Sequence, residues 1–151
     1  MFAGKGTISL TNCFIGVWPS PQFFSTYAHI EARSKNAFIT IGKNTWLNNN
    51  ATLIADKTSI TIGENVLIGH NVFICDSDFH GLEVENRSNG NYDAISVEIG
   101  NHVFIGANVT ILKGVHIGNN SVVASGSIVS SDIPENVLAG GIPAKVLKNI
   151  I

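Results

Sequence analysis

Residues 99–129 read IGNHVF-IGANVT-ILKGVH-IGNNSV-VASGSI-V, and an aliphatic residue opens every group of six: Ile99, Ile105, Ile111, Ile117, Val123 and Val129. Four places on in the first three groups stand Val103, Val109 and Val115. A small residue usually follows the leading aliphatic (Gly100, Gly106, Gly118, Ala124, Ser130), with Leu112 the exception. Upstream the metre runs through Ile62, Ile68 and Ile74, with Val66 and Val72 four places on, and through Ile41, Leu47 and Leu53. All twelve leading positions are aliphatic, an outcome that independent chance would give on the order of once in ten million.

A period of six does not fit the 3.6 residues of a helical turn, and the strand alternation of a sandwich has a period of two and no fixed six. Six does fit a short strand followed by a bend, with one aliphatic side chain pointing inward per flat side. Three such sides close a triangular coil, and successive coils stack at the roughly 4.8 Å spacing of adjacent strands. The expected fold is therefore all-β, a solenoid of parallel coils with Ile and Val stacked inside. The hand of the coil is not visible in the spacing, and right-handed crossovers are the general rule.

Composition points the same way. Ile and Val together number 33 against 8 Leu, and Asn (17) joins Gly (15) as the main turn former. β-branched residues favour strands, while Gly and Asn tolerate the left-handed backbone of tight turns. A chain of 151 residues is one domain's worth, with a core that needs no disulfide or metal. A net charge of −2 leaves no basic field for a nucleic acid. Cys13 and Cys75 are too few for a disulfide scaffold and lack CxxC spacing. The apolar run Cys13 to Trp18 is too short to span a bilayer and follows no basic segment. The expectation is a soluble cytoplasmic protein with no nucleic-acid partner and no membrane span.

Breaks in the metre show where function can sit. From Leu53 to Ile62 the step is nine, an excess of three around Asp56-Lys57-Thr58. From Ile74 to Ile99 it is twenty-five, so residues 76–97 form a long polar excursion, and a long loop on a regular scaffold is decoration or a functional element. The first 29 residues keep the metre poorly; Ile8, Phe14 and Ile15 hint at a degenerate, irregular capping coil, as solenoid ends require. Residues 139–151 are expected to cap the other end as a short helix or strand. The whole chain, 1–151, reads as a single domain.

His80 stands where the next group's aliphatic should have been, in the run Asp76-Ser77-Asp78-Phe79-His80. An imidazole takes a proton from a hydroxyl near neutral pH, and a nearby carboxylate, Asp78 or Asp76, could fix its tautomer. On its residues alone His80 is either such a base or a solvated loop histidine, since four others occur in the chain. Cys75 lies close by but occupies the small-residue slot of its group, which favours a structural thiol over a nucleophile. Asn48-Asn49-Asn50 is either a polar cluster on the acceptor side or an asparagine ladder at turns.

The groups IGENVL, IGHNVF, IGANVT and IGNNSV resemble those of the hexapeptide-repeat acyltransferases, over roughly residues 30–148. The resemblance is to the branch holding galactoside, maltose, xenobiotic and polysaccharide acetyltransferases, and it implies a left-handed parallel β-helix. It further implies an acetyl-CoA-dependent O-acetyltransferase acting on a sugar or polysaccharide precursor by direct transfer. In that branch a coil such as Ile68-Gly69-His70-Asn71-Val72-Phe73-Ile74 leads into a loop whose histidine is the general base, here His80 with Asp78 beside it. Acceptor contacts fall to Asn48, at the end of Trp46-Leu47-Asn48, and to Asn71. The acetyl-CoA site falls to Phe104, Gly106, Ala107, Ser125, Gly126, Ser130, Ser131, Lys145 and Lys148. Phe104 and the Ser130-Ser131 pair depart from the Trp and Thr-Lys that the family often has there. The family also implies a homotrimer whose site lies between neighbouring subunits. An N-acetyltransferase of an amino-sugar nucleotide is the alternative within the superfamily. A carbonic anhydrase on the same coil would need two zinc histidines four residues apart, which no histidine pair here offers, so no metal is expected. A non-catalytic trimeric scaffold would have no use for the loop histidine.

Overall fold

Each group of six folds as one strand and one bend, and the fourth residue of the group makes the bend. Asn65, Asn71, Asn108 and Asn120 take φ of 56°, 58°, 57° and 61°, in the left-handed region. Gly114 and Gly126 fill the same place at 76° and 75°. This region is costly for most L residues and cheapest for Gly and Asn, which accounts for the abundance of both. The stacked asparagines then bond each other from coil to coil: Asn44 Nδ2 to Asn65 Oδ1 (3.2 Å), Asn50 to Asn71 (2.9 Å) and Asn71 to Asn108 (3.0 Å).

The computed structural model describes residues 1–150. Its first coil is β1 (Phe2–Gly4), β2 (Thr7–Leu10) and β3 (Phe14–Ile15); the second is β4 (His29–Ala32), β5 (Phe38–Ile41) and β6 (Trp46–Leu47). The third is β7 (Thr52–Ala55), β8 (Ser59–Ile62) and β9 (Leu67–Ile68); the fourth is β10 (Phe73–Cys75), β11 (Val97–Ile99) and β12 (Phe104–Ile105). The fifth is β13 (Thr110–Ile111), β14 (His116–Ile117) and β15 (Val122–Val123). The last holds β16 (Ile128–Val129), a bridge from Ile117 to Ile133, and β17 (Val137–Gly141). The first strands of all coils stack as one face (β1-β4-β7-β10-β13-β16), the second strands as another, and the third strands as the third face. The pairing is parallel throughout until β18 (Ala144–Asn149) folds back antiparallel on β17. The fold is an all-β, left-handed parallel β-helix.

All twelve leading aliphatics lie inside the prism, none more than 3% exposed. Register keeps them above one another, as in Leu53 over Ile74 over Ile111 over Val129. Each contributes about 1.5–3 kcal/mol by leaving water, so the interior stack is the main cohesive term.

The ends depart from the metre in different ways. The first coil is complete, because β1 adds a strand, which the hint from Ile8, Phe14 and Ile15 did not include, in register with β4. Its side chains stay largely exposed, and a cavity of about 660 Å³ opens there beneath the connection 16–28. That connection is pinned by the buried Asn49, which accepts from the Val17 N–H (3.0 Å) and donates to the Val17 and Pro21 carbonyls (3.1 and 2.9 Å). At the other end the closing segment is the strand β18.

Candidate functional site

The two breaks in the metre meet at one edge of the prism, between the first and second faces. The excursion leaves β10 through Asp76, whose side chain is fully buried. Asp76 Oδ1 accepts the Asp56 N–H at 2.7 Å. Its Oδ2 accepts the Lys57 and Thr58 N–H groups (3.1 and 2.7 Å) and the Thr58 hydroxyl (2.9 Å). The three extra residues 56–58 are thus a cradle of backbone donors for the first side chain of the excursion. Without it a buried carboxyl at this corner would be left without partners, at a cost on the order of several kcal/mol.

The far side of the loop is also tied to the prism. Tyr92 donates its hydroxyl to Asp56 Oδ2 at 2.6 Å, and that bond raises the phenol pKa above its ordinary range. Lys57 Nζ sits 3.5 Å from the Tyr92 ring centroid and donates to the Gly90 carbonyl at 2.9 Å. From the coil beyond, Lys113 bonds Asp78 and lies 3.7 Å from Asp93, and the bond to Asp78 raises the lysine pKa. Arg33 approaches from the other side, with Nη1 3.4 Å from Asp56 Oδ1.

His80 stands exposed on this braced loop, its Nδ1 2.6 Å from the Arg87 carbonyl oxygen. A carbonyl only accepts, so Nδ1 is the donor here, and in the neutral ring the lone pair is then on Nε2. This corrects the expectation that Asp78 or Asp76 orients the ring. Asp78 is engaged by Lys113 and Asp76 by the 56–58 cradle, and a backbone carbonyl takes the orienting part instead. Asp78 still shares with His80 a cavity of about 270 Å³, together with Glu83, Asn86, Tyr92 and Asp93. Arg87, Lys113 and Tyr92 were not legible as site residues. The one signal was the coincidence of the two breaks at the same edge. Cys75 is 4% exposed, and burial pushes its thiol pKa up, which suits a core group and not a nucleophile.

The remaining candidates, apart from Ser130 and Ser131, lie across the first face. On the third face Phe14, Trp46, Leu67 and Phe104 point outward in register, with Phe14 stacked on Trp46 at 4.0 Å. Asn48 and Phe104 share a groove of about 200 Å³ there with Val17, Leu67 and Gly69. The Asn48 amide donates to Ser20 Oγ (3.2 Å) and its Oδ1 accepts the Asn49 N–H (2.7 Å). Asn71 sits at the adjoining edge, its amide engaged by Asn50 and Asn108.

Gly106, Ala107, Ser125 and Gly126 continue down that edge. Here the coils approach so closely that a Cβ on Gly69 would stand 2.6 Å from the Ala107 nitrogen. The Ala107 N–H donates to Ser125 Oγ at 3.1 Å, and the Gly126 N–H to the Ala107 carbonyl at 2.9 Å. Lys145 and Lys148 are exposed on β18, with Lys148 below Leu138, Val122 and Phe104 in register. Ser130 and Ser131 lie past β16 on the His80 edge, separated from that row. One copy of the chain therefore carries its candidate residues on opposite edges of its first face, His80 on one and a close-packed glycine edge beside an aromatic groove on the other. Among the described residues no three His, Cys, Asp or Glu side chains converge as a metal-ligand set, and no helix is long and apolar enough to cross a membrane.

Comparison with known proteins agrees with the coil. Residues 96–131 match the family described as bacterial transferase hexapeptide (six repeats), and residues 38–75 and 59–88 match the hexapeptide repeat of succinyl-transferase. The galactoside O-acetyltransferase of Escherichia coli (strain K12) is 41% identical over 133 residues, which are 88% of this chain and 61% of that protein. The chain thus spans about three-fifths of the length of that relative. A hexapeptide-repeat-containing acetyltransferase of Vibrio cholerae O1 biovar eltor, solved with acetyl coenzyme A, is 31% identical with a TM-score of 0.70. The match covers 99% of this chain and 71% of that one. A galactoside acetyltransferase solved with coenzyme A is 38% identical with a TM-score of 0.71, over 96% of this chain and 65% of that one. On its repeats, its fold and these likenesses, the chain belongs to the hexapeptide-repeat acetyltransferase family, close to the galactoside, maltose and polysaccharide O-acetyltransferases.

Proposed function

We propose that the protein transfers an acetyl group from acetyl-CoA to a hydroxyl of a sugar or polysaccharide precursor, with His80 as general base. The observation that carries this reading is the ring's hydrogen bonding: the Arg87 carbonyl accepts from Nδ1, which in the neutral ring puts the lone pair on Nε2, and His80 lines a polar cavity. Nε2 takes the proton of the acceptor hydroxyl as its oxygen attacks the thioester carbonyl. The tetrahedral intermediate collapses with cleavage of the carbon–sulfur bond, and the imidazolium returns its proton to the departing thiolate. No residue carries the acetyl group, in keeping with the buried, high-pKa thiol of Cys75.

The donor's pantetheine arm belongs to the edge of Gly106, Ala107, Ser125 and Gly126. Phe104 flanks it, and Lys145 and Lys148 meet the phosphates. In this reading Ser130 and Ser131 contribute from their own edge. Asn48 and Asn71 serve the acceptor side, with the Asn48 groove the better placed. Because His80 and the donor edge face apart in one copy, the site is completed between two copies, and the outward row Phe14, Trp46, Leu67 and Phe104 gives such an assembly apolar surface to bury. A homotrimer closes three such sites. Two galactoside O-acetyltransferases among the relatives, from Escherichia coli and Lactococcus lactis, favour a sugar hydroxyl as acceptor.

The test is release of free thiol from acetyl-CoA on addition of candidate sugars, with product masses identifying the acetylated hydroxyl. His80→Ala is expected to fold normally and to lose about 10²–10⁴-fold in turnover. Near-parent turnover in that variant would remove His80 from the mechanism.

A further inference from the structure

Phe79, the residue before His80, carries a backbone conformation that its own side chain opposes. Its φ is 63°, in the left-handed region, which Asn and Gly otherwise fill in this chain save at Gln22 and His102. A bulky aromatic there is an outlier, and such outliers persist only where the surroundings impose them. The surroundings are visible. The Phe79 ring centroid lies 5.1 Å from Arg33 Cζ, within the range at which a guanidinium over a ring face attracts it. Glu31 anchors Arg33 through two bonds, Nε to Oε1 (3.0 Å) and Nη2 to Oε2 (3.1 Å). Asp56 holds Nη1 from the third side. On the chain side, Asp78 is tied to Lys113 and donates its N–H to the Asp93 carbonyl at 3.3 Å.

We propose that Phe79 is a positioning residue for His80, clamped by Arg33 so that its left-handed turn aims the imidazole. With Asp78 fixed, the direction in which His80 leaves the chain is set by the backbone torsions at Phe79. Relaxation of Phe79 to an ordinary conformation would rotate φ by about 120° or more and carry the ring away from the Arg87 carbonyl. The clamp is expected to hold an exposed histidine on a long loop to one tautomer and one direction. Glu31, Arg33 and Asp56 come from the two coils before the excursion, so the aim is referred to the rigid prism.

The inference rests on His80 being the base, and its test keeps the two ideas apart. Phe79→Ala, Phe79→Tyr, Arg33→Gln and Arg33→Lys are compared by acetyl transfer from acetyl-CoA. The His80 tautomer is read separately from ring-nitrogen NMR, which needs no turnover. Phe79→Ala and Arg33→Gln are expected to lose about 10²-fold in kcat with KM for acetyl-CoA nearly unchanged, as misaimed groups do. Both should also lose the single Nδ1–H signature. Phe79→Tyr, which keeps the ring, should restore both readouts, and Arg33→Lys should restore them in part. Parent-like kcat and tautomer in Phe79→Ala would overturn the proposal while leaving the acetyltransferase reading intact. So would a Phe79→Tyr variant that folds and is as defective as Phe79→Ala. A parent enzyme with no transfer to any acceptor, but with a tautomer that responds to Phe79→Ala, would support the clamp and defeat the functional reading.

Discussion

Replacing Asp76 by Ala removes the acceptor for three backbone N–H groups and one hydroxyl at once. The Asp56 N–H is buried, and those of Lys57 and Thr58 are partly so. A buried donor stripped of its partner costs about 1–3 kcal/mol, so three would reach about 3–9 kcal/mol if all stayed dry. Water can reach the Lys57 and Thr58 amides once the side chain is gone, which brings the expectation down to about 3–5 kcal/mol. Asp76→Asn should cost less, about 1–3 kcal/mol. Its amide oxygen can serve the three donors at Oδ2, while its NH₂ group meets the Asp56 N–H head on. The loss should be local, since neighbouring coils keep their own interior stacks. Amide hydrogen exchange is therefore the assay. The protected amides among residues 56–58 should exchange faster in Asp76→Ala by about 10²-fold or more, at about 1.4 kcal/mol per tenfold, while Ile105 and Ile117 keep parent protection. Acceleration of less than about tenfold would mean that the cradle is not held by this side chain, and the linkage of the two breaks would fall with it.

Three further outcomes are expected. Gly69→Ala would push a Cβ to 2.6 Å from the Ala107 nitrogen and 2.7 Å from the Gly106 carbonyl carbon. Overpacking of this kind costs about 1–3 kcal/mol, so the melting temperature should fall. At Gly126 a Cβ meets nothing within 4 Å, and Gly126→Asn should leave melting unchanged because Asn accepts its φ of 75°. The bonds from Arg33 hold the Glu31 carboxyl pKa below its ordinary 4.5. A depressed folded pKa contributes stability that is present above 4.5 and lost as pH falls through the lower folded value. Melting the parent and Glu31→Gln across the acid range should therefore show the difference between them shrinking below 4.5 and vanishing under the folded pKa. A difference that grows on acidification would refute the assignment.

The scaffold was legible because its rule is repeated. Each sixth residue is an independent statement of the same geometry, and Asn or Gly at the bend marks where the chain turns. The excursion at 76–97 and its histidine were legible as departures from that rule. Its bracing was not, because Asp56, Tyr92, Arg87 and Lys113 lie up to thirty-six positions from their partners and share no spacing with them. Asp78 and Asp76 looked like partners of His80 by proximity in the chain. In space each has a nearer obligation, to a lysine of the next coil and to the amides of the previous one. The first strand escaped notice because its coil has exposed side chains on the outer end, so burial leaves little mark on its sequence.

The asparagine ladders at the corners carry one more implication. A corner bonded to the same corner above and below does not depend on what the loop beside it does. Selection can therefore lengthen, shorten or rewrite an excursion at one corner while the neighbouring turns stay in place, much as a shelf can be changed in a bookcase without touching its uprights. Divergence in acceptor preference would then concentrate in the outgrowths, and the ladder residues would be the last to change.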